Sequence, residues 1–237
     1  MTIRTSLLAL AASACLITPA FAQDMLPAPI QSAFDKIEAQ PVSDREDWRF
    51  TMTFRLEDEE LVGRYDGTLA EDERWTLVSH DEASLEGGLA EVWSEFTTED
   101  EDDSNGLFFD PEEIGFLSSS LELVDETADN LTYGFVLDEA QAEGEDAEFV
   151  QYLRGELHLD RDEEQVRRMR LYAPESFKPN FAVRVREFEM VQEYTDLEGA
   201  PLPVLTRMSQ TIRASAMMQS FEQIMVLEFS DIEYLAE

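Results

Sequence analysis

The chain has 237 residues, with 53 Asp and Glu against 17 Lys and Arg and a formal net charge of −36. Such a surface repels phosphate backbones and anionic headgroups, and no basic stripe is present to gain from counterion release, so nucleic acid is excluded as an expected partner. One cysteine, Cys15, permits no disulfide framework, and two histidines, His80 and His158, leave little scope for imidazole chemistry.

In chain order, Arg4, an apolar run from Leu7 and Ala20-Phe21-Ala22 ahead of Gln23 read as an export signal over residues 1–22, cleaved after Ala22. The run is too short and too interrupted for a membrane span, and no later stretch approaches the ~20 apolar residues that a spanning helix needs. The expectation is a periplasmic protein without stable membrane insertion. Cleavage ahead of Cys15, giving a lipid anchor, is the competing reading, although Ala12-Ser13-Ala14 is a poor lead-in for it. Without Cys15, residues 23–237 need an ordinary hydrophobic core and are read as a single domain.

Ile30, Ala33, Phe34 and Ile37 repeat at i, i+3, i+4, i+7, predicting a short helix that stops before Pro41. The period then becomes two: Trp48, Phe50, Met52, Phe54 and Leu56 alternate with Arg49, Thr51, Thr53 and Arg55, a half-buried strand. Residues 61–65 and 74–78 read as the next two strands, with Glu57-Asp58-Glu59-Glu60 as a solvated turn. After Gly87-Gly88, Leu89, Val92, Trp93 and Phe96 predict a helix over residues 88–98, running out in an acidic loop at about residues 98–106.

From Leu117 onward the pattern is β. Leu117, Leu121 and Leu123 predict one strand, and Leu131, Tyr133, Phe135 and Leu137 the next, with Asp129-Asn130 in the turn between. Phe149, Gln151, Leu153, Leu157 and Leu159 read as one side of a longer strand, and Met169 and Leu171 continue beyond the charged hairpin at 161–164. Residues 181–194 change parity, so an extra residue near Arg186 or Glu187, a β-bulge, is expected. Val204, Met208, Ile212, Ala214, Ala216 and Met218 form a long strand after Gly199-Ala200-Pro201. The last strand, residues 221–229, shifts parity before Ile232 and Tyr234. The fold class is mainly β (α+β): a single strongly curved antiparallel sheet, a half-barrel with two or three short helices in its concave face. No fixed-period repeat occurs, which argues against solenoids and propellers.

Chemistry is sparse. His80 falls in a loop and His158 on the polar count of its strand, neither with metal-ligand spacing, and no nucleophile elbow, P-loop or dinucleotide fingerprint is present. With 53 acidic residues some carboxylates will be neighbours by chance, but no dyad is singled out by position. No catalytic residue, metal or cofactor is therefore assigned, and the chain is read as a non-enzyme. Glu101, Asp103, Asn105, Gly106 and Glu112 match positions of a calcium loop, yet Glu replaces Asp at the first position and Pro111 precedes the last. Composition alone accounts for that match.

Trp48, Phe50, Met52, Phe54, Trp75, Trp93 and Phe96 concentrate large side chains at one end of the chain, with soft methionines at Met190, Met208, Met217, Met218 and Met225. Plain core packing is one reading; the other is an incompletely filled concave sheet whose lining they form around a greasy ligand.

The export signal, first helix and aromatic strand are followed by Gly155-Glu156-Leu157-His158-Leu159-Asp160, a basic strand at 166–171, and Gly199-Ala200-Pro201-Leu202-Pro203 between two long strands. In this order the chain resembles the periplasmic lipoprotein-carrier superfamily of LolA and LolB type. The resemblance implies a half-barrel closed by helices around an apolar cavity, and a hydrophobic ligand, lipid or lipoprotein acyl chain, as cargo. The rival expectation is an envelope protein-interaction or stress-sensing module whose core is full and whose partner, another envelope protein, pairs along a strand edge.

Overall fold

Alternating apolar residues need a partner surface on one side only, and the chain supplies it by pairing every strand antiparallel in one sheet and laying helices over one face. The computed structural model describes residues 26–40, 45–80, 85–97, 107–110, 121–137, 147–180, 182–216 and 219–236. The export signal, Cys15, the acidic loop at 98–106, the calcium-loop positions Glu101, Asp103, Asn105, Gly106 and Glu112, and Leu117, Phe181, Met217 and Met218 lie outside those residues.

The strands are β1 (Trp48–Leu56), β2 (Glu59–Asp66), β3 (Trp75–Leu77), β4 (Glu122–Glu126), β5 (Asn130–Val136), β6 (Arg154–Asp160), β7 (Gln165–Tyr172), β8 (Val183–Thr195), β9 (Val204–Ala216) and β10 (Gln219–Tyr234). Their order in the sheet is β3-β2-β1-β10-β9-β8-β7-β6-β5-β4, and the sheet is not closed into a barrel. Two meanders thus meet where β1 pairs with β10, and only the β3-to-β4 connection crosses from one edge to the other. Part of that connection, Leu107 to Asp110, runs over the middle of the sheet: Phe108 bridges to Val204, and Leu107 O accepts a 2.7 Å hydrogen bond from Leu205 N.

Helix α1 (Ala28–Glu38) buries Ile30, Ala33 and Phe34, the stripe its spacing predicts. Its Lys36 ammonium and Ser32 hydroxyl hold the β6–β7 turn through Glu163 O and the Glu164 carboxylate. Helix α2 (Gly87–Thr97) buries Leu89, Val92 and Trp93. The core divides accordingly. One cluster lies under α1 along β5 to β9; the other lies under α2 along β1 to β3 and β10. Phe109 belongs to the first and its neighbours Leu107 and Phe108 to the second, so this triplet stitches the two together.

The expected bulge is present: the β8–β9 register shifts between Val185 and Glu187, and Val185 and Phe188 both face the core. A matching irregularity carries the late parity change in β10. The β1–β10 register slips between Arg49 and Thr51, opposite a segment where Asp231 takes a left-handed φ of 51°.

Three sequence expectations need correction. The long strand from Phe149 is instead a one-turn helix, α3 (Ala147–Val150), followed by a turn and then β6. Phe149 and Leu153 are four apart, and i+3 bonds from Tyr152 N and Leu153 N bring both toward one core, as helical spacing does. The acidic turn is shorter than predicted. Glu59 and Glu60 already pair with Leu56 and Arg55, and Glu57 makes the reversal with a φ of 56°. Leu123, expected in the core, is 48% exposed because β4 is the outermost strand and has a neighbour on one side only.

Candidate functional site

The residues nominated as ligand lining fall in one place. Along β1, Trp48, Phe50, Met52 and Phe54 are buried on the helix-covered face; Trp75 stands on β3, and Trp93 and Phe96 descend from α2. What they face is chiefly each other. Ring centroids are 5.8 Å apart for Phe50–Trp75 and Trp75–Trp93, and 6.1 Å for Trp75–Phe96. Four rings not singled out from sequence complete the cluster. Tyr65 stacks on Phe50 at 5.0 Å and Phe229 meets it edge-on at 5.3 Å, while Phe108 and Tyr234 each lie 4.9 Å from Trp48. These are the offset and edge-on spacings that aromatic quadrupoles favour. Phe108 was legible as part of an apolar triplet in an acidic stretch, whereas Tyr234 joins only through the β1–β10 pairing.

Two glycines, one beside each core cluster, let rings lie close to the sheet. Gly63 on β2 is seated under α2, where a Cβ would stand 2.7 Å from the Trp93 ring; Gly155 on β6 lies under the Phe135 ring, at 2.0 Å. A gap where the two clusters meet, bounded by Ala33, Ile37, Phe109, Gln165, Val166, Leu202 and Pro203, measures about 10 Å³. That is about one water, against ~300 Å³ or more for a small-molecule site.

The other face of the sheet is organised by arginine. Five arginines each reach carboxylates on both neighbouring strands. Arg49 holds Asp66 at 3.0 Å and Glu233 at 2.8 Å, and Arg55 holds Glu60 at 2.8 Å and also Glu228. Arg170 joins Glu156 at 3.1 Å to Glu189 at 2.8 Å, with its guanidinium 4.1 Å from the Tyr172 ring centre. Arg207 joins Glu228 at 3.0 Å to Glu193 at 3.8 Å, and Arg213 joins Glu187 to Glu222, both at 2.7 Å. The row Glu60–Arg55–Glu228–Arg207–Glu193 therefore ties β2, β1, β10, β9 and β8. A planar fork with several donors suits such bridging better than an ammonium, which gives the preference for arginine over lysine a structural cause. The Thr68 hydroxyl and then the Arg49 guanidinium hold the Asp66 carboxyl below its ordinary range.

The histidines sit in unlike places. His80 is exposed, its Nδ1 2.7 Å from Ser79 Oγ, and that hydroxyl already accepts from Val62 N at the β3 end of the sheet. His158, on the arginine face, has Nδ1 3.0 Å from Thr132 Oγ1 and Nε2 3.8 Å from Glu156. Burial, followed by the nearby Arg168, pushes its pKa down, so the neutral ring is favoured. Among the described residues no group of three or more His, Cys, Asp or Glu is placed to hold a metal ion.

At the sheet margin, β4 is exposed along all five residues, and Val124 and Val136 are 58% and 43% exposed beside Leu123. A register shift between Leu123 and Asp125 marks a bulge there, and Val124 rests on Gly134.

No family model matches the chain, and no curated protein does. Two solved structures are similar to it. One is a DUF1329 family protein from Desulfovibrio piger, with 15% identity, a TM-score of 0.35, and coverage of 88% of this chain and 94% of that one. The other is the MucA/MucB complex of Pseudomonas aeruginosa, with 12% identity, a TM-score of 0.25, and coverage of 87% and 100%. Likeness at this level assigns neither family nor activity, so the resemblance to lipoprotein carriers continues to rest on strand order. No helix among the described residues is long and apolar enough to cross a membrane.

Proposed function

We propose that this is an exported, non-enzymatic envelope protein that works by binding a partner protein at its surface and keeps its helix-covered face filled. The observation that carries the reading is the mutual contact of the aromatic residues: the side chains available to line a cavity are spent on one another. His158 is bonded to the Thr132 hydroxyl through Nδ1, and its Nε2, 3.8 Å from Glu156, has no hydrogen-bond partner among the described residues.

Titration with cis-parinaric acid tests the filled face. The expected result is no saturable uptake, while cross-linking of the exported protein in intact cells gives a discrete heavier adduct. Stoichiometric uptake with quenching of tryptophan emission, and no adduct, would overturn the proposal. A second reading would then take its place, in which α2 swings away to admit an acyl chain. It is favoured by the way α2 sits, through the Trp93 ring placed over Gly63.

A further inference from the structure

We propose that the β4 margin of the sheet docks an extended segment of another polypeptide in which basic and apolar residues alternate; this rests on the partner-binding reading above and names its site. Three of the large hydrophobic residues most exposed among those described, Leu123, Val124 and Val136, meet at this margin. Among the described residues only β5 pairs with β4, and no described strand lies on its outer side. Such margins invite strand addition, and proteins guard them with short strands, bulges and charge. All three guards are present: β4 has five residues, carries a bulge, and presents Glu122, Asp125 and Glu126.

The sign of the charge makes the guard selective. Glu126 is already held by Arg161, but among the described residues Glu122 and Asp125 have no ion pair, unlike the carboxylates of the arginine rows. A second copy of this chain, itself strongly acidic, would set like charges side by side along the margin. An uncharged strand would leave the two carboxylates poorly solvated. A strand with Lys or Arg at alternate positions answers both: its cations and their aliphatic stems lie on the face of Glu122, Val124 and Asp125, and its intervening apolar residues cover Leu123 on the opposite face. The occupant is thus a different, basic polypeptide, and β3, with three residues, offers a shorter platform.

The test uses the full exported chain and a fluorescein-labelled peptide of about eight residues alternating Val and Lys, a strand-length probe, read by fluorescence polarisation. A Val-Glu peptide and a Ser-Lys peptide are run beside it. Saturable binding of the Val-Lys peptide alone is expected. Val124→Lys, and Glu122→Lys with Asp125→Lys, should each weaken it about tenfold or more, although the double reversal leaves a net charge of about −32 against −36. The double reversal should also gain affinity for the Val-Glu peptide. Thr76→Lys, on β3, should change nothing, and circular dichroism confirms that each variant is folded. Equal binding of the Ser-Lys peptide, survival of binding in the β4 variants, or its loss in Thr76→Lys would each overturn the proposal. If the cellular adduct persists in the β4 variants, the partner-binding reading stands and this site falls.

Discussion

Gly63→Ala probes directly how α2 is seated. The backbone of Gly63 does not need a glycine, since its φ lies outside the left-handed region, and an alanine there would lower the entropy of the unfolded chain, worth about 0.4–1 kcal/mol in favour of folding. Against this, the new Cβ stands 2.7 and 3.2 Å from two Trp93 ring carbons and 3.4 Å from the Trp75 ring. Carbon atoms prefer about 3.5–4.0 Å, so the indole must retreat by about 1 Å. Trp93 is 5% exposed and wedged against Trp75, which allows no free retreat, and overpacking of this kind costs about 1–3 kcal/mol. The net expectation is a loss of about 1–2 kcal/mol, with the urea midpoint lowered and the slope unchanged. In a Trp93→Leu background the obstacle is gone and the same substitution should become neutral or stabilising. Urea unfolding of the four proteins, followed by far-ultraviolet circular dichroism so that the tryptophan change does not bias the signal, measures the coupling, expected at about 1.5–3 kcal/mol. An equal cost of Gly63→Ala in both backgrounds would refute the reasoning.

The same logic applies to Gly155→Ala, where the new Cβ would meet the Phe135 ring at 2.0–2.5 Å; a loss of about 3 kcal/mol is expected in thermal or urea unfolding, largely relieved by Phe135→Leu. For His158, the neutral ring is favoured in the folded chain, so the unfolded chain binds more protons as pH falls below about 6.5, and stability declines from there down to the folded pKa. Thr132, Glu156, Arg168, Arg170 and Asp125 are the groups that face it, and His158→Gln should flatten that part of a pH series of urea midpoints. For Asp66 the folded pKa is lowered, so its contribution is present above the ordinary carboxylate range and is lost as pH falls through the folded value. Asp66→Asn should therefore lower stability at neutral pH and soften the acid side of the same series.

Local alternation was the reliable signal in this sequence. Strand β1 runs over the residues whose parity predicts it, and the bulge at Arg186 followed from parity alone, because a slip of one residue would put Phe188 in water. Alternation failed where the surroundings decide. Leu123 carries the right parity but sits on the last strand, and Phe149 and Leu153 share a core through a helical turn that an every-second-residue count mistakes for a strand. The aromatic cluster was legible as a set of residues, but its fullness was not. Phe108 and Tyr234 close it from positions far along the chain, and only the pairing of β1 with β10 brings Tyr234 to Trp48. The arginine rows were invisible for the same reason: Arg49 and Glu233 are 184 residues apart.

That pairing also explains how so acidic a chain can form a wide sheet. A sheet face carrying only carboxylates would repel itself across every strand pair, and exposed single ion pairs add little by themselves. Arginines placed on β1, β7 and β9 each stand between carboxylates on either side, so the repulsion is reduced where strands are closest, across the arginine-bearing face. On the outer strand β4, Glu122 and Asp125 have no ion pair among the described residues. With one face occupied by aromatic rings and the other by matched ions, the surplus negative charge and the exposed Leu123 and Val124 coincide at the margin, where a basic partner strand would find both.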